Sequence, residues 1–157
     1  MDRFTWGVVG AVALLSLAAI VSVFAVRSAQ PAPDLSTPEG VVIAYIQAVQ
    51  NKDADRAWEL LTGPEAVSGP PRSAGIDPKD SFRNEVNNAY RSGERRLRIV
   101  DSTITGDTAK VTVEVTNVPA GPGIFFDGSN SHPVNFSLVR RDGAWRINSA
   151  PYIWELG

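Results

Sequence analysis

The side chains able to do acid–base or metal chemistry are few and widely spaced in this sequence. His132 is the single histidine, and histidine is the residue type that titrates near neutral pH. It lies in the polar, turn-rich segment 127–133, where we expect it to face solvent rather than a catalytic partner. One histidine and scattered carboxylates form no spaced ligand set, and the glycines of Gly121–Gly123 lack the Lys-Ser/Thr that completes a phosphate loop. The sequence therefore predicts no catalytic residues, no metal and no cofactor.

The longest feature of the sequence is an uncharged run of 21 residues, Trp6–Val26, bounded by Arg3 and Arg27. As a helix it is roughly 30 Å long, the thickness of a bilayer hydrocarbon core. We expect residues 1–27 to form a single-pass membrane anchor with the following domain outside the cytoplasm. A cleaved signal peptide, and hence secretion, is the alternative, although the apolar cores of signal peptides are shorter, about 7–15 residues. Residues 28–36 are rich in proline and alanine and predict a semi-rigid linker.

The composition after the linker limits the class of domain. The sequence has no cysteine, so neither a disulfide framework nor a thiolate metal site can form. The net charge of the whole chain is −2, which argues against nucleic acid as a partner. Residues 37–157 are enough for one domain and too few for two.

Three helices are expected at the start of this domain. Each begins at a Ser, Thr or Asp that can cap a helix, and two carry proline in the first turn, where it is tolerated. Residues 63–78 contain four prolines and three glycines or more in a short span, which predicts an irregular loop. The expected helices run from about residue 38 to 50, from 54 to the Gly63-Pro64 pair, and from 78 to about Arg91.

The rest of the sequence has the two-residue period of half-buried strands. Residues 109–116 and 134–139 alternate apolar and polar side chains, and Leu97–Ile99 opens an earlier strand. Gly106-Asp107 and Asp142-Gly143 predict tight hairpin turns between neighbouring strands. Helices followed by antiparallel strands indicate an α+β fold in which a curved, mostly antiparallel sheet packs against the helices.

Two stretches of this sequence resemble a known family. Thr37–Val42, leading through Tyr45 to Ala57–Leu61, resembles the opening of nuclear-transport-factor-2-like domains, the cone-shaped fold shared with ketosteroid isomerase and polyketide cyclases. Gly106–Val111 and Phe136–Ile147 resemble the paired sheet strands of bacterial, membrane-tethered members, most of them without a described function. The resemblance covers about residues 36–150.

The resemblance implies a cone that either holds a small molecule or is covered by a partner protein. Isomerase chemistry in such a cone needs a carboxylate base and a tyrosine with an acidic hydrogen-bond donor. Tyr45, Tyr90, Asp101 and Asp127 have suitable side chains, but none aligns with that motif. A ligand pocket would be lined by aromatic residues: Tyr45, Trp58, Phe82, Tyr90 and Phe136.

Three other segments have two interpretations each. Ile124–Phe126 is either a short strand or an apolar tip that contacts a partner or the membrane. The basic cluster of Arg91, Arg95, Arg96 and Arg98 either protects a strand edge or attracts anionic lipid. The C-terminal segment 150–157 is expected to be extended with Tyr152 and Trp154 on one face, either closing the sheet or docking on a partner.

Three functions follow from these features. The first is a membrane-anchored interaction or assembly module that contacts another protein, or a second copy, through its sheet face or cone mouth. The second is a domain that binds a small molecule or lipid in the cone. The third, an isomerase- or cyclase-like enzyme, needs a buried carboxylate that the sequence does not identify. We therefore expect a non-enzymatic interaction module.

Overall fold

The computed structural model describes residues 32–68, 75–89, 94–118 and 130–156. Residues Pro33–Gly157 form one compact unit. The described elements are four α-helices, one 3₁₀ turn and four strands, in the order helices, strands, helical turn. They are α1 Pro38–Gln50, α2 Ala54–Glu59, the 3₁₀ turn Pro64–Ala66, α3 Pro78–Asn88, β1 Glu94–Thr105, β2 Thr108–Val118, β3 Asn130–Arg141, β4 Ala144–Ser149 and α4 Ile153–Leu156.

The first three helices begin where the capping residues predict. The side chains of Thr37, Asp53 and Asp77 each accept a hydrogen bond from a backbone N–H two or three residues later, at 3.1, 3.0 and 2.7 Å. Each cap satisfies one of the free N–H groups of the first helical turn. α3 ends at Asn88, three residues before the predicted end, and the final residues of that prediction lie outside the described part of the chain.

The four strands form one curved antiparallel sheet in sequence order, β1-β2-β3-β4. Both hairpin turns are at the predicted positions. Gly106 begins the first with φ of 59°, and Asp142 and Gly143 form the second with φ of 51° and 77°. Positive φ at both central residues matches the right-handed twist of the flanking strands, which explains the Asp-Gly pair.

The helices pack on one side of this sheet, and the alternating strand residues provide the other half of the core. Val111, Val113 and Val115 of β2 are buried, and so are Val134 and Phe136 of β3. The intervening residues point to the opposite, polar side. The predicted α+β arrangement is confirmed for the described residues.

The predicted loop 63–78 contains order that the sequence did not indicate. The 3₁₀ turn begins at Pro64, where proline is tolerated, and backbone bridges join Leu61 to Ile147 and Val67 to Ala150. The Ile147 N–H donates to the Leu60 carbonyl at 2.9 Å. This pairing covers the β4 edge, and it explains why α2 ends at Glu59 instead of reaching Gly63.

The C-terminal segment is helical, not extended as predicted. α4 is a single turn that buries Ile153 and Leu156, which lie three residues apart and therefore on one helical face. Tyr152 and Trp154 are left exposed. The prediction that this segment packs on the domain is right, but the packing side chains are the aliphatic ones.

His132 also differs from its prediction. It lies within β3, paired with Val115 of β2, rather than in a loop. Strand pairing extends further than the turn-forming residues around it suggested, because the β2 partner continues to Val118.

Several predictions concern residues outside the described part of the chain. These are the Trp6–Val26 anchor, Tyr90, Arg91, the Ile124–Phe126 segment and Asp127. Among the described residues, no helix is long and apolar enough to cross a membrane.

Candidate functional site

The aromatic residues predicted to line a pocket form two ring contacts. Tyr45 of α1 meets Phe136 of β3 edge-to-face, with ring centroids 6.0 Å apart and planes at 74°. Trp58 of α2 meets Phe82 of α3 at 5.3 Å. The structure thus brings four of the five predicted residues together in two pairs, and the fifth, Tyr90, lies outside the described residues.

These rings are part of the packed core. Tyr45, Phe82 and Phe136 are each 0% exposed, so no space large enough for a water molecule adjoins them. Trp58 is half-buried at the rim of the core. A ligand that contacted the three buried rings would first have to displace side chains packed against them, because interiors of this kind contain few voids. Their role in ligand binding stays a prediction.

The hydroxyl of Tyr45 is a polar atom within this core that has no hydrogen-bond partner. Burial, and secondarily the negative charge of Glu85, raises the pKa of Tyr45 above its ordinary value. The phenol therefore stays protonated and is chemically a donor. An unpartnered buried hydroxyl costs about 1–3 kcal/mol of folding free energy, so this atom is a point of tension in the core.

A second group of polar side chains lies on the helix-facing side of the sheet, at one end. Arg95 of β1 pairs with Asn117 of β2, and Asn117 pairs with Asn130 of β3. His132 lies one row further towards the core, opposite Val115. Residues paired across antiparallel strands share a face, with Cβ atoms about 4.5–5.5 Å apart. We call these four residues the polar row.

The sequence pattern did not identify the polar row. Arg95 was assigned to a basic cluster with Arg96 and Arg98, although neighbours along a strand point to opposite sides. The structure separates them: Arg98 lies on the outer side, where it forms a 3.2 Å ion pair with Glu114, whereas Arg95 faces inward. Period-two counting could have separated Arg95 from Arg96, but not placed Arg95 opposite Asn117.

An exposed aromatic pair adjoins the polar row. The rings of Tyr152 and Trp154 stack at 5.9 Å with planes 28° apart, and the two residues are 43% and 61% exposed. The Arg95 Nη1 group donates a hydrogen bond to the Trp154 carbonyl. Arg95 therefore connects the inner side of the sheet to the turn that carries the aromatic pair.

Comparison with known proteins gives matches by structure alone. No protein-family model and no curated protein matches the sequence. A structure from Thiobacillus denitrificans, proposed to be a calcium/calmodulin-dependent protein kinase type II association domain, is 14% identical over 74% of this chain and 94% of that chain, with a TM-score of 0.53. A protein called Rd1NTF2_04 with long sheet is 17% identical over 73% and 98%, with a TM-score of 0.50. The domain has the nuclear-transport-factor-2-like fold.

A third similar structure bears the same description. It is an NTF-2 like protein of unknown function from Shewanella oneidensis, 12% identical over 71% of this chain and 91% of that chain, with a TM-score of 0.46. Identities this low concern the fold alone, and a fold hosts many unrelated functions. The nuclear-transport-factor-2-like assignment suggested by the sequence is thus confirmed, and function must be argued from the residues.

The described residues of this nuclear-transport-factor-2-like domain do not include a buried carboxylate. Asp101 is exposed on β1, where it pairs with Thr112, and Asp127 lies outside the described part. No Asp, Glu, His, Lys or Arg is fully buried in residues 32–68, 75–89, 94–118 and 130–156. Over the same ranges, no three His, Asp or Glu side chains gather into a metal site.

Proposed function

We propose that this chain is a membrane-anchored protein-interaction module, held outside the cytoplasm by a Trp6–Val26 helix. The proposal is supported by the 21-residue uncharged run, which is followed by a proline-rich linker. The single observation that carries the interaction role is the exposed, stacked pair of Tyr152 and Trp154.

The folding of α4 does not require this pair at the surface. Ile153 and Leu156 already bury the apolar side of the turn, at 4% and 0% exposure. Two large aromatic rings are instead held rigid against each other in solvent. Tyr and Trp, together with Arg, are the residues that dominate binding energy at protein interfaces, because they bury a large area with few rotatable bonds.

The packing of the core favours this role over the small-molecule alternative. Three of the predicted pocket residues, Tyr45, Phe82 and Phe136, expose no surface. The apolar area accessible to a partner is on the outside, and the aromatic pair is its most exposed aromatic part among the described residues. The partner that fits is a protein surface with a groove or apolar patch wide enough for an indole ring; a second copy of this chain is the homodimer form of the same proposal.

Site-specific photo-crosslinking in the native membrane tests this proposal. A photoreactive phenylalanine analogue replaces Trp154 in the full-length protein, and the matched control replaces Ile104, an apolar residue of similar exposure (54%) on β1. We expect one discrete adduct from position 154 and none of that size from position 104. Tyr152→Ala should weaken the adduct, since it removes the stacking ring.

The size of the adduct also decides between the two forms of partner. An adduct of twice the 16.9 kDa chain identifies a homodimer, and any other single mass identifies a different protein. Equal adduct patterns from positions 154 and 104, or no adduct from either, would contradict an interaction surface at the aromatic pair. Protease digestion of intact cells, which should remove the domain and spare a short anchored fragment, tests the membrane topology separately.

A further inference from the structure

We propose that the polar row is a carboxylate-binding site centred on the guanidinium of Arg95. This inference is independent of the proposed interaction surface, since it concerns the inner side of the sheet. The ligand class is a carboxylate, either of a small organic acid or at the C-terminus of a peptide.

The first observation is a cation without a counter-ion. Arg95 is half-buried, forms no ion pair with any described carboxylate, and its Nε atom is buried without a hydrogen-bond partner. A charged donor left without an acceptor away from water is costly, and the cost is removed when an anion accepts from it. The neighbouring inward side chain, Asn117, supplies an amide rather than a negative charge.

The second observation is the geometry of the one bond that Arg95 does make. Its Nη1 group donates to the Trp154 carbonyl, which fixes one side of the guanidinium. The side that remains is formed by Nε and Nη2, two parallel N–H donors in a plane. That fork matches the two oxygens of a carboxylate, the best-attested bidentate partner of arginine.

The third observation is the contrast between the two sides of the sheet. On the outer side, polar side chains pair with one another across strands: Thr112 bonds Asn135 at 3.0 Å, and Thr116 contacts Ser131 at 2.9 Å. The side chains of Asn117, Asn130 and His132 have no such partner among the described residues. Three unpaired amide or imidazole groups beside an unpaired arginine provide donors for an anion that enters from solvent.

Titration of the full-length protein in neutral detergent micelles, followed by NMR of the arginine Nε–H groups, tests this site. The probes are sodium acetate and, at equal ionic strength, sodium chloride. We expect a saturable shift of the Arg95 signal with acetate and none with chloride. The signal is assigned by its loss in Arg95→Gln, and the Nε–H of Arg96, on the outer side of the same strand, is the matched control.

Substitution of a neighbouring donor adds an affinity readout. Asn117→Ala should weaken acetate binding by about threefold to tenfold, the effect of one lost hydrogen bond to a charged ligand, while Arg96→Gln should leave it unchanged. If Arg95→Gln does not fold, His132→Ala serves in its place for affinity, and the Arg95 signal is then assigned by specific isotope labelling. An Arg95 signal that does not move, or that moves equally with chloride, overturns the proposal.

Two further titrations define the ligand. Trialanine with a free C-terminus is compared with its C-terminal amide and with acetate. Tighter binding of free trialanine than of acetate identifies a peptide terminus, and equal binding identifies a small acid; loss with the amide is expected in both cases. Tighter binding of inorganic phosphate than of any carboxylate would overturn the assignment to a planar anion.

Discussion

Replacing Tyr45 with phenylalanine should stabilise this protein, although the change removes a polar group from the largest helix. The hydroxyl is buried and has no hydrogen-bond partner, so folding transfers it from water to an apolar site without compensation. The ring itself stays in place against Phe136, because the edge-to-face contact at 6.0 Å does not involve the oxygen.

The expected size of the effect follows from these two facts. An unpartnered buried hydroxyl costs about 1–3 kcal/mol, and the small void left by its removal returns part of that as lost dispersion contacts. We therefore expect Tyr45→Phe to increase the free energy of unfolding by about 1 kcal/mol. Urea unfolding of the full chain in neutral detergent, followed by tryptophan fluorescence, measures the change as a shift in the midpoint at constant slope.

The matched control is Tyr152→Phe, which makes the same chemical change at a side chain that is 43% exposed. Its effect should lie within about 0.5 kcal/mol of zero, as for other surface substitutions. A loss of more than about 1 kcal/mol in Tyr45→Phe would refute the reasoning. It would mean that the hydroxyl has an acceptor in the real protein, and would revive the prediction of an occupied pocket around Tyr45.

Three further predictions concern pH, a tight backbone contact and the terminal turn. Because burial raises the pKa of Tyr45, the folded state holds this proton more tightly than the unfolded chain; stability is full below pH of about 10 and falls above it by up to about 1.4 kcal/mol per unit, and urea midpoints should show this decline in the wild type but not in Tyr45→Phe. Gly40→Ala should destabilise by about 1–3 kcal/mol in urea unfolding despite the helix preference of alanine, since its Cβ would overlap the Asp34 carbonyl and break the 3.2 Å bond from the Thr37 N–H; an unchanged midpoint would show that Asp34 moves freely. Leu156→Ala should cost about 2–4 kcal/mol and Trp154→Ala about zero, and similar losses for both would contradict the division of α4 into packed and free side chains.

The inner and outer sides of strand β1 show how far sequence reasoning reached at the candidate site. The alternation of residues 109–116 and 134–139 correctly identified which side chains enter the core, because the two-residue period is a property of a single strand. The polar row combines residues of three strands, and its position depends on register. A bulge between Ile99 and Asp101 shifts the β1 pairing by one residue, and no local pattern in β1 announces that shift.

What the sequence determined by itself is local. Thr37, Asp53 and Asp77 start the helices, and Asp142-Gly143 turns the last hairpin, because caps and turns depend on backbone groups only two or three residues away. The order of these elements was enough to predict an α+β domain and its family resemblance.

What only the tertiary structure decided is which distant groups meet. The bridge from Leu61 to Ile147 protects the β4 edge, and Arg95 reaches the Trp154 carbonyl across 59 residues of sequence. Such contacts form when the apolar faces of all elements are buried together, and their partners are selected by the shape of the whole core rather than by any segment. The same packing fills the space around Tyr45 and leaves the rings of Tyr152 and Trp154 in solvent.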